Sequence, residues 1–278
     1  MRRTLLCICY FIFSGTAIFA ADNYPAGARS LGMANSSVTN TDCWSAFHNQ
    51  AALAWLDRMT AGASYNNRFT IANLSTEGFV FALPLKAGTF AVSGNVFGYS
   101  QYNEKKAGIA FAKKLGEKFS AGVQLDYLNT FINDDFYGSH NAFAVEAGLL
   151  AEPLKNFKIG IHVYNLSGAR LAEYADEKIP TIFRLGASYK FSDKLLWSIE
   201  EEKDIDQKAS FKSGLEYQIA EPLFLRGGLS TNPTIVSFGF GLKLNNLMVD
   251  FASTYHQILG FSPAISLNYQ FGSEKKKK

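Results

Sequence analysis

From residue 58 to residue 271 the apolar residues of this chain recur at every second position, in short runs separated by turn residues. Between 119 and 127, Phe119, Ala121, Val123, Leu125 and Tyr127 share one parity, and Ser120, Gly122, Gln124 and Asp126 share the other. The same split returns at 157–163, 183–191 and 235–244, and again at 265–271, where Ile265, Leu267, Tyr269 and Phe271 oppose Ser266, Asn268 and Gln270. Successive side chains of a strand point to opposite faces. Each run is therefore a ribbon with one apolar face and one polar, glycine-rich face.

About fourteen such runs fit the sequence, mostly about ten residues long, the length of a tilted membrane strand. Their expected limits are 58–67, 76–84, 88–99, 103–114, 118–130, 139–150, 155–165, 180–191, 194–203, 207–218, 222–230, 234–244, 246–255 and 261–271. Links after even-numbered runs are short, and links after odd-numbered runs tend to be longer and more polar. That asymmetry is shared with outer-membrane barrels. Links 100–102, 204–206 and 231–233 are short where the pattern asks for loops. Ala-Glu-Pro-Leu occurs twice, at 151–154 and 220–223, and reads as repeated turn chemistry.

A sandwich or soluble barrel would hide the apolar parity. Three features favour placing it outside, against lipid. The polar parity carries many charges, among them Asp126, Glu146, Lys158, Arg184, Glu200, Lys212, Glu216, Arg226 and Asp250, which a wet lumen tolerates when opposite signs pair. Aromatic residues near run ends (Tyr127, Tyr164, Tyr189, Tyr217, Tyr255, Tyr269, Phe271) suit interfacial girdles. Charged residues are 18% of the 278, below the roughly 25% of soluble domains. The expected fold is all-β: a transmembrane antiparallel β-barrel of about fourteen strands, closed so that no strand edge meets lipid. The net charge of +3 implies no nucleic-acid partner.

The chain opens with Arg2, Arg3, an apolar core from Leu5 to Phe13 and small residues up to Ala20 and Ala21, the pattern of a cleaved secretory signal. The expected organisation is a signal peptide over 1–20, an N-terminal plug or hatch over 21–57, a barrel over 58–271 and a basic tail over 272–278, in a Gram-negative outer membrane. Cys7 and Cys9 leave with the signal, and Cys43 reads as a small buried residue.

The stretch 24–56 does not alternate. Trp44, Phe47 and Ala51 stand at i, i+3 and i+7, which predicts a short helix with one apolar side. Arg29 is a lone base among small residues. Inside a lumen it needs acidic partners, such as Asp126 or Glu216. Asn49 suits a bond to exposed backbone at the end of the plug helix. Trp44, Phe47 and Trp55 suit either an apolar pocket or plain packing. Asp126, Arg184, Glu216 and Arg226 are expected to face the lumen. No metal-ligand spacing, nucleophile elbow or nucleotide loop is present in the sequence, so no enzyme and no cofactor is expected. Gly239 and Gly241 form only a fragment of such a loop, and Asp250, Ser253 and His256 read as rim residues of a strand.

The run Ala28, Arg29, Leu31, Gly32, Met33, then Asp42, then Asn49, Ala51 and Leu53 resembles the PorV/PorQ family of Bacteroidota, within the wider group of FadL-type channels. Ala34 and Gln50 depart from that motif, where a second glycine and a proline are usual. The resemblance implies a fourteen-strand barrel with an internal hatch over 24–56. FadL-type relatives imply a conduit or binding site for small hydrophobic molecules. PorV/PorQ relatives imply instead an accessory of type IX secretion, with outer loops such as 169–178 and 203–207 holding secretion-machinery proteins or cargo. In both cases outer-membrane lipid is a partner.

Overall fold

A computed structural model describes residues 23–134, 137–172 and 177–272. The expected signal peptide over 1–20 and nearly all of the basic tail lie outside them. The strands are β1 (Thr60–Asn67), β2 (Ser75–Leu85), β3 (Gly88–Gly98), β4 (Tyr102–Lys114), β5 (Phe119–Ile132), β6 (Gly138–Leu154), β7 (Phe157–Tyr164), β8 (Arg170–Ala172) and β9 (Glu177–Lys178). They continue with β10 (Ile182–Ser192), β11 (Leu195–Asp204), β12 (Ser210–Ala220), β13 (Leu223–Ser230), β14 (Ile235–Leu244), β15 (Leu247–His256) and β16 (Gly260–Gln270). All but β8 and β9 form one closed antiparallel barrel, sealed where β16 pairs with β1 in the register Ala63↔Leu267.

The barrel is inside out relative to a soluble protein. In β5, Ser120, Gln124 and Asp126 are buried while Phe119, Val123, Leu125 and Tyr127 are exposed. Exposed Ile109, Phe143, Leu185, Phe211, Leu229, Phe238 and Leu267 extend this band around the wall. So much contiguous apolar surface fits hydrocarbon rather than water. Among the described residues no helix is long and apolar enough to cross a membrane; the strands do the crossing.

All fourteen expected runs are barrel strands, with ends shifted by up to four residues. The two Ala-Glu-Pro-Leu copies behave differently. The first ends β6, with the turn at 155–156 on Asn156 (φ 68); the second straddles the turn at 221–222. Tyr164 is a correction. It shares the parity of His162, points inward and is 1% exposed, so it is not a girdle residue. The other six expected girdle aromatics are exposed.

The connections separate two ends, called here the short-turn end and the long-loop end. The longest, 165–181, carries the paired strands β8 and β9. Leu171 and Ile179 pack inside on Leu128, Ala142, Tyr164 and Ile182. Asn165, at φ 53, fixes the fold by donating to the Ala169 and Ile179 carbonyls and accepting from Ala169 N.

Candidate functional site: the plugged lumen

The plug enters at the long-loop end, where Tyr24 stacks on Phe97 at 4.4 Å, and leaves at the short-turn end through Leu56. It holds α1 (Ala28–Gly32), α2 (Ser45–His48) and a 3-10 helix (Gln50–Trp55). The expected single helix through Trp44, Phe47 and Ala51 is broken at Asn49, whose backbone is extended at φ −167. Asn49 accounts for the break. Its amide donates to the carbonyls of Val38 (2.8 Å) and Leu149 (3.0 Å), and its oxygen accepts from Ala51 N. It ties plug to plug and plug to wall at once.

Wall glycines let the plug come this close. A Cβ on Gly122 would stand 2.5 Å from Ala51 N, and one on Gly228 would stand 2.5 Å from the Met33 carbonyl carbon. On the plug side, Gly27 has φ +88 and lies under the Trp44 ring. Trp44 and Phe47 are enclosed with Leu53 against Val80, Ala82, Ala91, Ala110 and Ala112, so their rings are spent on packing. Trp55 is half-buried at the short-turn end and donates to Ser120 Oγ at 2.9 Å.

Three charged clusters hold the plug. In the first, Arg29 makes a bidentate contact with Glu216 (2.7 and 2.8 Å) and a third bond to Asp42 (2.9 Å). Arg226 donates to the same Glu216 (2.6 Å) and to Asp250 (2.8 Å). Arg226 passes over Gly241, where a Cβ would meet both Arg226 and Asp250, whereas a Cβ on Gly239 would press on the Phe251 carbonyl at 2.7 Å and face Gly32 of the plug at 3.3 Å. Burial opposes the Arg29 charge, but Glu216 and then Asp42 outweigh it and raise its pKa above the ordinary value. Of the two carboxylates suggested for Arg29, the structure brings Glu216 to it. Asp126 instead faces Lys106 at 3.5 Å.

In the second cluster Glu146 accepts from Lys106, from Gln50 of the plug (2.5 Å) and contacts His162 Nε2 (2.9 Å). In the third, Glu202 accepts from Arg184 and Lys212 at 2.7 Å each, and Glu200 Oε2 accepts from the backbone N–H groups of Ser37 and Val38 at 2.8 Å each. The residues missed from sequence as plug anchors are Glu146, Lys106, Gln50 and Glu200. Parity marked Glu146 and Glu200 as lumen-facing, but only the strand register shows which of them the plug reaches.

His48 Nε2 contacts the Ala26 carbonyl at 2.9 Å, so it carries the proton and donates. Burial, and then Arg184, push its pKa down to about 3. Burial and then Asp42 raise that of Cys43. Asp250 and Ser253 lie on opposite faces of β15, so no hydrolytic set forms with His256. No cluster of three metal-ligating side chains occurs among the described residues.

Cavities remain above and below the plug. One of about 230 Å³ at the long-loop end is lined by Tyr24, Leu31, His48, Phe69, Arg184 and Ile235, among others. Two of about 600 and 360 Å³ lie at the short-turn end, both reaching Arg29 and Glu216. The molecule thus belongs to the class of closed barrels whose lumen is stopped by their own N-terminal segment.

No family model matches the chain, and no curated protein matches it. Solved structures do. It is similar to the CymD monoaromatic hydrocarbon channel (TM-score 0.71, 13% identity, 91% of this chain and 99% of that one). It is similar to the toluene transporter TbuX of Ralstonia pickettii (0.70, 13%, 89% and 98%) and to a FadL homologue of Pseudomonas aeruginosa (0.63, 13%, 88% and 98%). At these identities the likeness is one of fold.

Proposed function

We propose that this protein is a plugged outer-membrane conduit for small hydrophobic molecules. The observation that carries the reading is a lumen filled from end to end by residues 23–56, with cavities on both sides of the obstruction. A solute passes only if the plug shifts. The plug is held by side-chain contacts rather than by strand ladders, so it can shift while the wall stays closed. The fold shared with channels described as carrying toluene and other monoaromatic hydrocarbons supports the cargo class. Placement within the PorV/PorQ group is part of the proposal and rests on the Ala28–Met33 motif. A role in secretion is the alternative reading: Leu171 and Ile179 of the longest loop are buried inward, while Ile205 of the 203–207 loop stands exposed.

The test is removal of Ala26–Leu56. The barrel is expected to insert, to raise conductance in planar bilayers and to admit toluene into liposomes faster than the intact protein does. Insertion with unchanged conductance and unchanged toluene entry overturns the proposal.

A further inference from the structure

The larger chamber below the plug carries Arg29, Lys158, Lys190 and Lys194 on its walls, together with Glu152, Asp193 and Glu216. Arg29 is neutralised by Glu216 and Asp42, and Lys190 meets Asp193 at 3.3 Å on the exposed rim. Lys158 has no carboxylate in ion-pair contact among the described residues. Its ammonium reaches the Thr41 hydroxyl at 3.3 Å and stands 5.2 Å from the centre of the Trp55 ring. Lys114 stands over the same ring at 4.1 Å.

Burial is the main opposition to the Lys158 charge. Glu152, on the same chamber wall, attracts it, and Arg29, Lys114 and Lys190 act the other way. A partly desolvated ammonium with no carboxylate in contact gains when a counter-charge arrives. The chamber has room for one, about 600 Å³, and Asn40, Thr41 and Ser188 line it with further hydrogen-bonding groups.

We infer that this chamber binds a small oxyanion, a carboxylate or a phosphate group, seated against Lys158 with Lys194 approaching from the turn between β10 and β11. Trp55, whose ring both Lys114 and Lys158 approach, reports its arrival. The site stands apart from the conduit reading, since the anion needs only to enter from the short-turn end.

The experiment is calorimetric titration of the purified protein in lipid nanodiscs with benzoate and, separately, with inorganic phosphate, following tryptophan emission in parallel. At least one anion is expected to bind saturably. Lys158→Gln is expected to weaken it by about tenfold, Lys158→Arg to retain it, and Trp55→Phe to remove the emission change while leaving the heat. Benzoate alone assigns a carboxylate, phosphate alone a phosphate, and both together a general oxyanion site. Folding of each variant is read from heat-modifiable migration. If Lys158→Gln does not fold, Lys194→Gln supplies the comparison, with a loss of a few-fold expected. No saturable binding of either anion, or undiminished binding by the folded variant, overturns the inference.

Discussion

The wall and the plug share one lumen and are built by opposite means. Every strand of the wall satisfies its backbone against two neighbours, and side-chain parity alone decides what faces lipid and what faces inward. The plug has only short helical turns, with Ala34 and Asn35 at positive φ, and it takes its shape from the wall. Its backbone leans on wall side chains: Ala28 N on Ser266 Oγ, Ser37 N and Val38 N on Glu200, the Ala51 carbonyl on Ser120. Displacing the plug therefore breaks a limited set of charged and polar contacts, whereas opening the wall would break a whole ladder. The two parts are therefore expected to differ in stability, the plug opening before the wall.

The sharpest way to test the separation is to remove the carboxylate that serves both parts. Glu216→Ala strips a partner from Arg29 and Arg226 together. Each arginine keeps one carboxylate, Asp42 for Arg29 and Asp250 for Arg226, so the loss stays below the cost of a fully unpaired buried charge, about 3–5 kcal/mol. The expected outcome is a plug open to protease on a barrel that still migrates as folded. Loss of both together would show that plug and wall are one cooperative unit.

The opposite pattern is expected at Ile109, 66% exposed in the middle of β4. Ile109→Arg places a charge on the lipid face at a cost of about 2–4 kcal/mol. It should impair insertion into liposomes while leaving plug contacts untouched, with urea titration in bilayers as the measurement. A smaller loss belongs to Gly122→Ala, whose methyl group would press on the backbone of Gln50 and Ala51. Overpacking of this kind costs about 1–3 kcal/mol, and the plug should show it first, as faster amide exchange over 49–55.

The smallest effect is a dependence on pH. His48 is held neutral in the folded plug, with its pKa lowered from 6.5 to about 3. Unfolded chains take up the proton first. The His48 contribution is therefore whole above about pH 6.5 and is lost progressively as pH falls toward 3. Between about pH 7.5 and 5.5, above the ordinary carboxylate range, His48→Gln should flatten the fall in plug protection. An unchanged slope would remove His48 from the account.

Much of the wall was legible in the sequence, because a strand in a barrel obeys a local rule. Period two, the short turns and the inward charges all follow from neighbours along the chain. Tyr164 shows where that reading slipped: residue type suggested a girdle, while its parity with His162 already pointed inward. The plug was legible as an exception but not in detail. Its helix is broken by the bonds Asn49 makes to Val38 and Leu149, and one of those partners is 100 residues away. The inward burial of Leu171 and Ile179 was not visible either, since their hold comes from the wall around them.

The sequence by itself determined the strands, their inside and outside, and the presence of a segment that belongs to neither. Only the tertiary structure decided that Glu216 rather than Asp126 receives Arg29, that Glu200 caps the plug backbone, and that Lys158 has no carboxylate in ion-pair contact among the described residues. The physical reason is range. Alternation is set residue by residue along one strand, whereas a charge pair across a lumen depends on the register of every strand between its partners.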